Sequence, residues 1–374
     1  MDRIAGQFLQ NIKTLTMTRW GNSETYNKLI MMKSLTDLRI SKINFVEMSK
    51  YLISLDQLIS LDISKSLITD SIVEPISKLK QLTYLNVSDN SIGNYGVMHI
   101  SKLEQLTNLV ISKNRFGMNC LKYITNMRKL TSLNINGNDI GNIAFEDIIK
   151  MKQLTSLNVN NINIGDKGAF HVGKLKHLTS LAIAKNGIHE EGVKFINELP
   201  QVTDLDIFGI SFGPGGAKYI GEMKQLTKLN INSCRIGDEG ATYLSGLTKL
   251  TKLSISSNSI SAIGVKFIRE LKLLTFLDIS INNIGQQGSQ YVSGLDKLAH
   301  LSIHRNNLGD EGARHIGDMK WLTNLDINCN SISDEGALYF SDLKQLTSFD
   351  ISGNNICDEV ANRLIKIFHD SIFI

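Results

Sequence analysis

Adjacent carboxylates are the first feature of this sequence that suggests chemistry. The pairs Asp238-Glu239, Asp310-Glu311 and Asp334-Glu335 each place two acidic groups side by side, as general acid–base catalysis often requires. All three pairs precede a Gly-Ala dipeptide at the same place in a repeating unit. Such regular recurrence favours a role at the start of a helix, where carboxylates interact favourably with the helix dipole and with solvent. We therefore expect these pairs to be non-catalytic.

Histidine and cysteine are the other residue types here that can bind a metal ion. His300 and His304 lie in a segment with strand-like alternation, where residues i and i+4 stand about 13 Å apart on one face. That distance is too long for both to bind one ion without further ligands. The cysteines show no C-x-x-C pairing and no metal-ligand spacing; they are Cys120, Cys234, Cys329 and Cys357. The sequence therefore predicts no metal site and no disulfide framework, which suits a reducing compartment.

Motifs for catalysis or nucleotide binding are missing from the sequence. It has no glycine-rich phosphate loop, no H-E-x-x-H and no G-x-S-x-G. Its 40 basic and 36 acidic residues are intermixed and give a net charge of +4, which does not favour a nucleic-acid partner. The apolar runs are too short and mixed for a secretory signal or a membrane span. We expect a protein that is not an enzyme, needs no cofactor, has no membrane partner and is cytoplasmic by default.

A repeat of 24 residues accounts for most of the chain. The step between opening residues is 82 − 58 = 24, and it is held without a slip through thirteen units. The opening residues are Leu58, Leu82, Leu106, Leu130, Leu154, Leu178, Val202, Leu226, Leu250, Leu274, Leu298, Leu322 and Leu346. Self-similarity at a fixed period of this size is typical of a stacked-repeat solenoid. We therefore expect one elongated repeat domain rather than several globular ones.

The segment Gln225–Lys249, QLTKLNINSCRIGDEGATYLSGLTK, shows what one unit contains. Leu229 and Ile231 alternate with polar residues, which predicts a short half-buried strand. A glycine after the next apolar position marks a turn. The spacing of Ala241 and Leu244 then predicts a short helix with one apolar face. Because one unit cannot bury its own apolar face, we expect neighbouring units to stack into a continuous core.

An asparagine recurs eight residues after the opening residue in nine of the thirteen units. These residues are Asn90, Asn114, Asn138, Asn186, Asn258, Asn282, Asn306, Asn330 and Asn354. We expect each buried amide to bond to the backbone of adjacent turns, which would satisfy groups that are costly to leave unpaired. The other four units carry Ser66, Ile162, Ile210 and Cys234 at this position.

These residues resemble the leucine-rich repeat superfamily. Its pattern L-x-x-L-x-L-x-x-N-x-L appears almost unchanged in LTYLNVSDNSI and LTSLNINGNDI. The G-x-E-G-A tail is similar to the helical, ribonuclease-inhibitor-like subclass, although 24 residues is short for that subclass. The resemblance implies an α/β leucine-rich repeat solenoid, a curved horseshoe with a parallel β-sheet on the concave face and short helices on the convex face. It also implies a binding surface on the concave face, without naming a partner.

The repeats divide the sequence into three predicted regions. Residues 1–34 are interpreted as an N-terminal cap with a degenerate repeat, including an amphipathic pattern at Ile4, Phe8 and Ile12 and a strand over Thr14–Thr18. Residues 35–357 carry the tandem repeats. Residues 358–374 are interpreted as a C-terminal capping helix.

The C-terminal end is unusually apolar. Val360, Leu364 and Ile367 have the spacing of one face of a helix that would seal the last repeat. The final residues Ile372, Phe373 and Ile374 are expected to fold back over this cap. A dimer contact or a docking tip for another protein is the alternative.

Any binding function is expected at the strand positions that face outward, which are residues three, five, seven and eight of each unit. Most are small and polar, as in Ser132 and Asn134, and keep the sheet face soluble. Larger and charged residues depart from this background over five adjacent units. They are Phe208, Lys228, Lys252, Phe276, Asp278, Ile281, His300, His304 and Arg305. Binding hot spots favour aromatic and arginine side chains, so we predict that this group binds a partner protein. Alternatively, Phe208 and Phe276 are isolated surface apolar residues, which are common.

A smaller candidate surface in the N-terminal half comprises Tyr84, Asp89 and Lys113. The main hypothesis is a monomeric protein–protein interaction scaffold or recognition protein, such as an adaptor or inhibitor. An activator of a small GTPase, acting through the rim residues Arg115 and Arg235, is the runner-up. A substrate-recognition subunit of a ubiquitin ligase, or a microbial effector, is a third hypothesis, although these pair the repeats with another module, for which only residues 1–34 are expected to leave room.

Overall fold

The computed structural model describes residues 11–17, 23–42, 48–142 and 144–374 of the chain. The predicted amphipathic positions Ile4 and Phe8, and the end of the predicted first strand at Thr18, lie outside these residues. The chain forms two compact units, residues 1–186 and 187–374. Each unit is built from strand–helix repeats that follow one another in chain order.

Eight parallel strands run through the described part of the first unit. They are β1 (Thr14–Met17), β2 (Asp37–Ile40), β3 (Ser60–Asp62), β4 (Tyr84–Asn86), β5 (Asn108–Val110), β6 (Ser132–Asn134), β7 (Ser156–Asn158) and β8 (Ser180–Ala182). Neighbouring strands pair in register, so that Leu61 lies opposite Leu85 and Leu85 opposite Leu109. Between the strands lie α1 (Ser23–Ile30), α2 (Ser49–Leu52), α3 (Asp70–Ile76), α4 (Asn94–Ile100), a 3₁₀ turn (Met118–Cys120) leading into α5 (Leu121–Ile124), a 3₁₀ helix (Ala144–Lys150) and α6 (Gly165–Val172).

The second unit also contains eight parallel strands. They are β9 (Asp204–Asp206), β10 (Lys228–Asn230), β11 (Lys252–Ser254), β12 (Phe276–Asp278), β13 (His300–Ser302), β14 (Asn324–Asp326), β15 (Ser348–Asp350) and β16 (Ile372–Phe373). The helices are α7 (Glu190–Asn197), α8 (Gly213–Glu222), α9 (Gly237–Leu244), α10 (Ala262–Ile268), α11 (Gly285–Val292), α12 (Gly309–Gly317), α13 (Asp334–Leu338) and α14 (Asp358–Phe368), with 3₁₀ turns at Tyr339–Asp342 and His369–Ser371. The predicted α/β solenoid of parallel strands and short helices is confirmed.

The core of each unit lies between its strands and its helices. In the repeat that begins at Leu226, the predicted core residues Leu229, Ile231, Ile236 and Leu244 are all at least 97% buried. Leu229 pairs in register with Leu253 of the next repeat, so the apolar positions stack along the unit. Fully burying an aliphatic side chain of this size stabilises a protein by about 1.5–3 kcal/mol. The repeated apolar positions therefore supply most of the driving force for stacking.

A glycine on the buried side of the helices lets them lie close to the preceding turn. At Gly240 in α9, an added Cβ atom would lie 2.5 Å from the Cβ atom of Ile236, which no ordinary packing allows. Cys120 and Ala144 occupy the corresponding sequence position in two repeats with 3₁₀ segments, but the repeat with Gly336 also contains one, so helix type does not follow from this residue. The position does not require glycine everywhere, because α3 keeps its α-helix with Ile72 there.

The asparagine ladder is confirmed. Asn258 is fully buried, and its amide nitrogen donates to the carbonyls of Ile231 and Ile255 at 2.9 and 3.0 Å. Its side-chain oxygen accepts the backbone N–H groups of Cys234 and Ile236 in the preceding turn, at 3.0 and 3.3 Å. Each asparagine thus satisfies backbone groups of its own repeat and of the one before it.

A second ladder, of threonines, was not predicted from the sequence. It occupies residue two of most units, where each hydroxyl donates to the carbonyl one repeat earlier. Thr251 bonds to Thr227 in this way, and Thr275 bonds to Thr251, both at 3.1 Å. Ala299 interrupts the ladder because it has no hydroxyl, although its carbonyl still accepts from Thr323 at 3.1 Å. These bonds join neighbouring repeats along the edge where the strands begin.

The C-terminal helix is present, and the residues after it fold back onto the last repeat. Leu364 of α14 is fully buried, in line with its predicted place on the apolar face. The last residues do return to the final repeat, but as strand β16, in which Ile372 and Phe373 pair with Phe349 and Asp350. This return to the last repeat agrees with the predicted fold-back, although Phe373 remains 62% exposed. Pairing of backbone groups, rather than burial of side chains, holds this end.

Candidate functional site

The strand face of the second unit carries the nine predicted binding residues, which we call the strand-face patch. The central residue of each strand from β9 to β15 is buried, and it is leucine in all of them except β15, which has Phe349. The residues on either side of it therefore point away from the core. Residue three of each unit forms one row because the strands are in register. Lys228 lies opposite Lys252, Lys252 opposite Phe276, and Phe276 opposite His300. The fold thus brings together four residues that are 24 positions apart in the sequence.

Contacts within this row mix charge and aromatic character. Lys228 Nζ lies 3.2 Å from Asp204 Oδ2 across the strand pair, and both side chains are about half exposed. The rings of Phe276 and His300 have centroids 6.3 Å apart with their planes tilted by 37°, a separation typical of interacting aromatic pairs. Asp278 lies on the next outward-facing row, formed by residue five of each unit. It accepts a hydrogen bond from the amide of Asn232, which is residue seven of its own unit, at 3.4 Å.

Ile281 and Arg305 lie where the chain leaves β12 and β13. Both have a left-handed backbone with φ of 54°, and this conformation recurs at residue eight of the units. It lets the backbone N–H of Ile281 reach the His304 carbonyl at 2.9 Å. A β-branched residue is rarely found in this conformation, which costs an L-residue about 1–2 kcal/mol. Ile281 is nevertheless 45% exposed, so its side chain gains little burial in return.

The two remaining patch positions lie at residue seven of their units. Phe208 is half-buried, and its backbone N–H donates to Asp206 Oδ1 at 3.3 Å. His304 is half-buried too, and its Nδ1 atom is enclosed without a hydrogen-bond partner among the described residues. Both side chains therefore border the exposed rows rather than standing free on the surface.

Two open depressions lie on this face, and Phe276 borders both. The first has a volume of about 240 Å³ and is lined by Asp204, Asp206, Lys228 and Lys252 among others. Two carboxylates and two ammonium groups balance one another there. This depression coincides with the N-terminal part of the strand-face patch.

The second depression extends beyond the strand-face patch. It has a volume of about 390 Å³ and is lined by Phe276, His300, Asp326, Asp350 and Phe373 among others. The last three were missed by the sequence interpretation. Asp326 and Asp350 are residue five of their units, the same outward position as Asp278, so continuing the position count through the last two units would have found them. Phe373 follows no repeat pattern, and only the formation of β16 places it here.

The other candidate residues lie apart from the strand-face patch, in sequence or at the rim. Tyr84 in β4 is half-buried, and burial raises the pKa of its hydroxyl. Asp89 and Lys113 are exposed and occupy the left-handed position at the end of their strands. The rim residues Arg115 and Arg235 are exposed as well.

The aspartate of each acidic pair at a helix start bonds to the following repeat. Asp238 accepts the backbone N–H groups of Ser261 and Gly264 at 2.8 and 2.9 Å, together with the Ser261 hydroxyl at 2.6 Å. Asp310 accepts the backbone N–H and the hydroxyl of Ser333 in the same way, at 2.7 and 2.6 Å. These aspartates therefore have a structural role in joining repeats, while Glu239, Glu311 and Glu335 beside them are exposed to solvent as expected.

Groups for metal or thiol chemistry are dispersed. Within the described ranges, no cluster of three or more His, Cys, Asp or Glu side chains is placed to hold a metal ion. All four cysteines are free thiols: Cys120 and Cys234 are buried, and Cys329 and Cys357 are exposed. Burial raises the pKa of each buried thiol to about 12, which keeps it protonated and unreactive at neutral pH. No helix in the described part of the chain is long and apolar enough to cross a membrane.

Family models agree with the repeat architecture. The model described as "Leucine-rich repeat region" matches residues 9–235, and two further leucine-rich repeat models match residues 224–284 and 318–341. The chain therefore belongs to the leucine-rich repeat family. Proteins of this family are generally binding scaffolds rather than enzymes. No curated protein matches the sequence significantly.

Solved structures show the same fold at low sequence identity. A leucine-rich repeat protein of Leptospira interrogans is 20% identical with a TM-score of 0.59, over 100% of this chain and 98% of that chain. The internalin InlF of Listeria monocytogenes is also 20% identical, with a TM-score of 0.52 over 99% of this chain and 88% of that chain. A TDR receptor is 16% identical, with a TM-score of 0.51 over 95% of this chain and 62% of that chain. Similarity at these identities establishes the fold alone.

Proposed function

We propose that this protein is a non-catalytic recognition protein that binds another protein through the strand-face patch. The proposal rests on the left-handed backbone and the exposed side chain of Ile281. A β-branched side chain there costs stability through its left-handed backbone, and its exposure leaves that cost uncompensated within the fold. The left-handed backbone belongs to every repeat, but the fold does not require a β-branched residue in it, and strained residues tend to cluster at functional sites. Contact with a partner would bury the Ile281 side chain and offset the cost of its backbone conformation.

The strand-face patch has the composition of an interface. Phe276 and His300 form an aromatic pair on the row of residue three, and Arg305 occupies the same left-handed position as Ile281 one repeat later. Aromatic and arginine side chains dominate binding hot spots because they bury much area and carry directional polar groups. Most other residues on the strand face are small and polar, so this concentration is local.

The test is affinity capture from a cell lysate with the intact chain, in parallel with a variant carrying Phe208→Ser, Phe276→Ala and Arg305→Ala. We expect a protein that the intact chain retains and the variant loses. The matched control carries Tyr84→Ser, Asp89→Ala and Lys113→Ala, which changes the same number of strand-face residues in the first unit. Equal retention by all three proteins, or loss only in the control, would contradict the proposal.

A melting curve must accompany the capture experiment. Phe208 and Phe276 are half-buried on the strand face and Arg305 is exposed, so the patch variant should keep a cooperative transition with only a modest fall in Tm. A large fall in Tm would show that these side chains hold the core together, and the assignment of a binding role would be wrong.

The Ile281→Asn variant separates stability from binding. Asparagine tolerates the left-handed conformation, so the variant should gain up to about 1 kcal/mol in the free energy of unfolding. The same change should weaken retention of the partner, since it removes an apolar contact. A less stable variant that still binds fully would show that Ile281 serves the fold.

Several finer predictions from the sequence stay predictions. They are the ribonuclease-inhibitor-like subclass, the cytoplasmic location, the monomeric state, and the boundaries of the three regions at residues 34 and 357. The GTPase-activator and ubiquitin-ligase or effector hypotheses also stay open. Among the described residues, no contact of Arg115 or Arg235 favours GTPase activation over protein binding through the strand-face patch.

A further inference from the structure

The second depression on the strand face holds negative charge that the fold does not neutralise. Asp326 and Asp350 are register partners on β14 and β15, strands about 4.8 Å apart. No lysine or arginine lines the depression, and neither carboxylate forms an ion pair among the described residues. The first depression differs, because its Asp204 is paired with Lys228. Two neighbouring carboxylates repel each other unless a cation lies close by.

Neutral hydrogen bonds hold these two carboxylates in place. The Asn328 amide donates to Asp326 Oδ1 at 2.7 Å and to Asp350 Oδ2 at 3.2 Å, which links the pair. The Ser302 hydroxyl donates to the other oxygen of Asp326 at 3.0 Å, and the Ser352 hydroxyl donates to Asp350 Oδ1 at 2.7 Å. The acceptors are thus oriented before any ligand arrives.

An exposed aromatic ring stands next to the carboxylates. Phe373 is the register partner of Asp350 and is 62% exposed. On the other side of the depression lie His300 and Phe276. The site therefore offers paired acceptors flanked by aromatic surfaces, in an open space of about 390 Å³.

We propose that this depression receives an arginine side chain of the partner protein, an inference that rests on the function proposed above. A guanidinium group is planar and presents several N–H donors in a fixed fork, so it can bond to both carboxylates at once. Its face can also lie against the Phe373 ring. The ammonium group of a lysine is a compact point charge, so it complements the charge of the carboxylates but not their paired geometry. A metal ion would need a ligand cluster that the described residues do not provide.

The test selects binding peptides from a phage library of random twelve-residue sequences on the intact chain. The same library is selected on an Asp326→Asn, Asp350→Asn double variant and on a matched control, Asp62→Asn. Asp62 is residue five on β3 and also bonds to a serine N–H and an asparagine amide, at 3.0 and 2.9 Å. We expect enrichment of arginine on the intact chain and on the control, and its loss on the double variant.

Selected peptides are then synthesised with arginine or with the uncharged isostere citrulline. Replacement by citrulline should weaken binding to the intact chain about tenfold or more and leave binding to the double variant unchanged. Phe373→Leu should weaken the arginine peptide more than its lysine counterpart. No enrichment of arginine, or equal binding of arginine and citrulline peptides, would overturn the inference.

Failure of this inference can be told from failure of the proposed function. Peptides or a captured protein that bind without arginine, tolerate the double variant and are lost on the Phe208, Phe276, Arg305 variant would uphold the strand-face patch. That result would overturn only the arginine site. If binding survives in both the double variant and the Phe208, Phe276, Arg305 variant, the arginine site and the strand-face patch are both contradicted.

Discussion

Replacing Asn258 with alanine tests how strongly a single ladder asparagine holds two repeats together. The side chain makes five hydrogen bonds to backbone groups: it accepts from the N–H groups of Cys234 and Ile236, and donates to the carbonyls of Ile231, Ile255 and Ser256. Alanine removes all five at a position with no solvent exposure.

The size of the effect follows from which groups find another partner. The Ile255 carbonyl still accepts from Asn282, and the Ser256 carbonyl still accepts from the N–H of Ser233. The N–H groups of Cys234 and Ile236 and the carbonyl of Ile231 lose the side-chain bonds that the structure gives them. Each buried unsatisfied group costs about 1–3 kcal/mol, so we expect the free energy of unfolding to fall by roughly 3 kcal/mol or more.

Urea denaturation followed by circular dichroism measures this loss, and amide hydrogen exchange at Cys234 and Ile236 shows whether it is local. The matched control is Asn283→Ala, an exposed asparagine in the adjacent repeat, which should change stability by less than about 0.5 kcal/mol. Asn258→Cys should fall between the two, since Cys234 fills this position naturally with weak bonds to two carbonyls at 3.4 Å. A loss for Asn258→Ala no larger than that of the control would refute the reasoning.

Three further predictions concern the threonine ladder, the helix glycine and the thiols. Ala299→Thr should raise the free energy of unfolding by about 0.5–1 kcal/mol in urea denaturation, because the new hydroxyl can reach the Thr275 carbonyl; a destabilised variant would contradict this. Gly240→Ala should lower it by about 1–3 kcal/mol, because its Cβ would meet Ile236, whereas a neutral effect would show that the helix can shift. An aromatic disulfide reagent at pH 8 should titrate two thiols in the folded chain and all four in urea, because burial raises the pKa of the thiols of Cys120 and Cys234 to about 12. Rapid titration of all four thiols in the folded chain would show that these two sites open readily.

The period of the apolar residues determined the fold class from the sequence alone. A strand–turn–helix unit must bury its apolar face against a copy of itself, so a fixed repeat specifies parallel strands in register. The same logic anticipated the asparagine ladder, because an amide is one of the few side chains that can satisfy both N–H and carbonyl groups at a buried corner. It also placed the strand-face patch on one side of the second unit, since alternation along a strand decides which side chains point outward.

Other features depended on distances that a repeat pattern does not contain. The glycine of α9 is needed because of how closely its helix lies to Ile236, and the role of Asp238 depends on how near the next repeat comes. The second depression combines two regular positions, Asp326 and Asp350, with Phe373, which reaches them only because the last residues pair with β15. Sequence periodicity fixes which residues share a row. Only the tertiary structure decides which carboxylates in a row are paired with a cation and which lie beside aromatic rings. It also decides where the irregular C-terminal residues join the sheet.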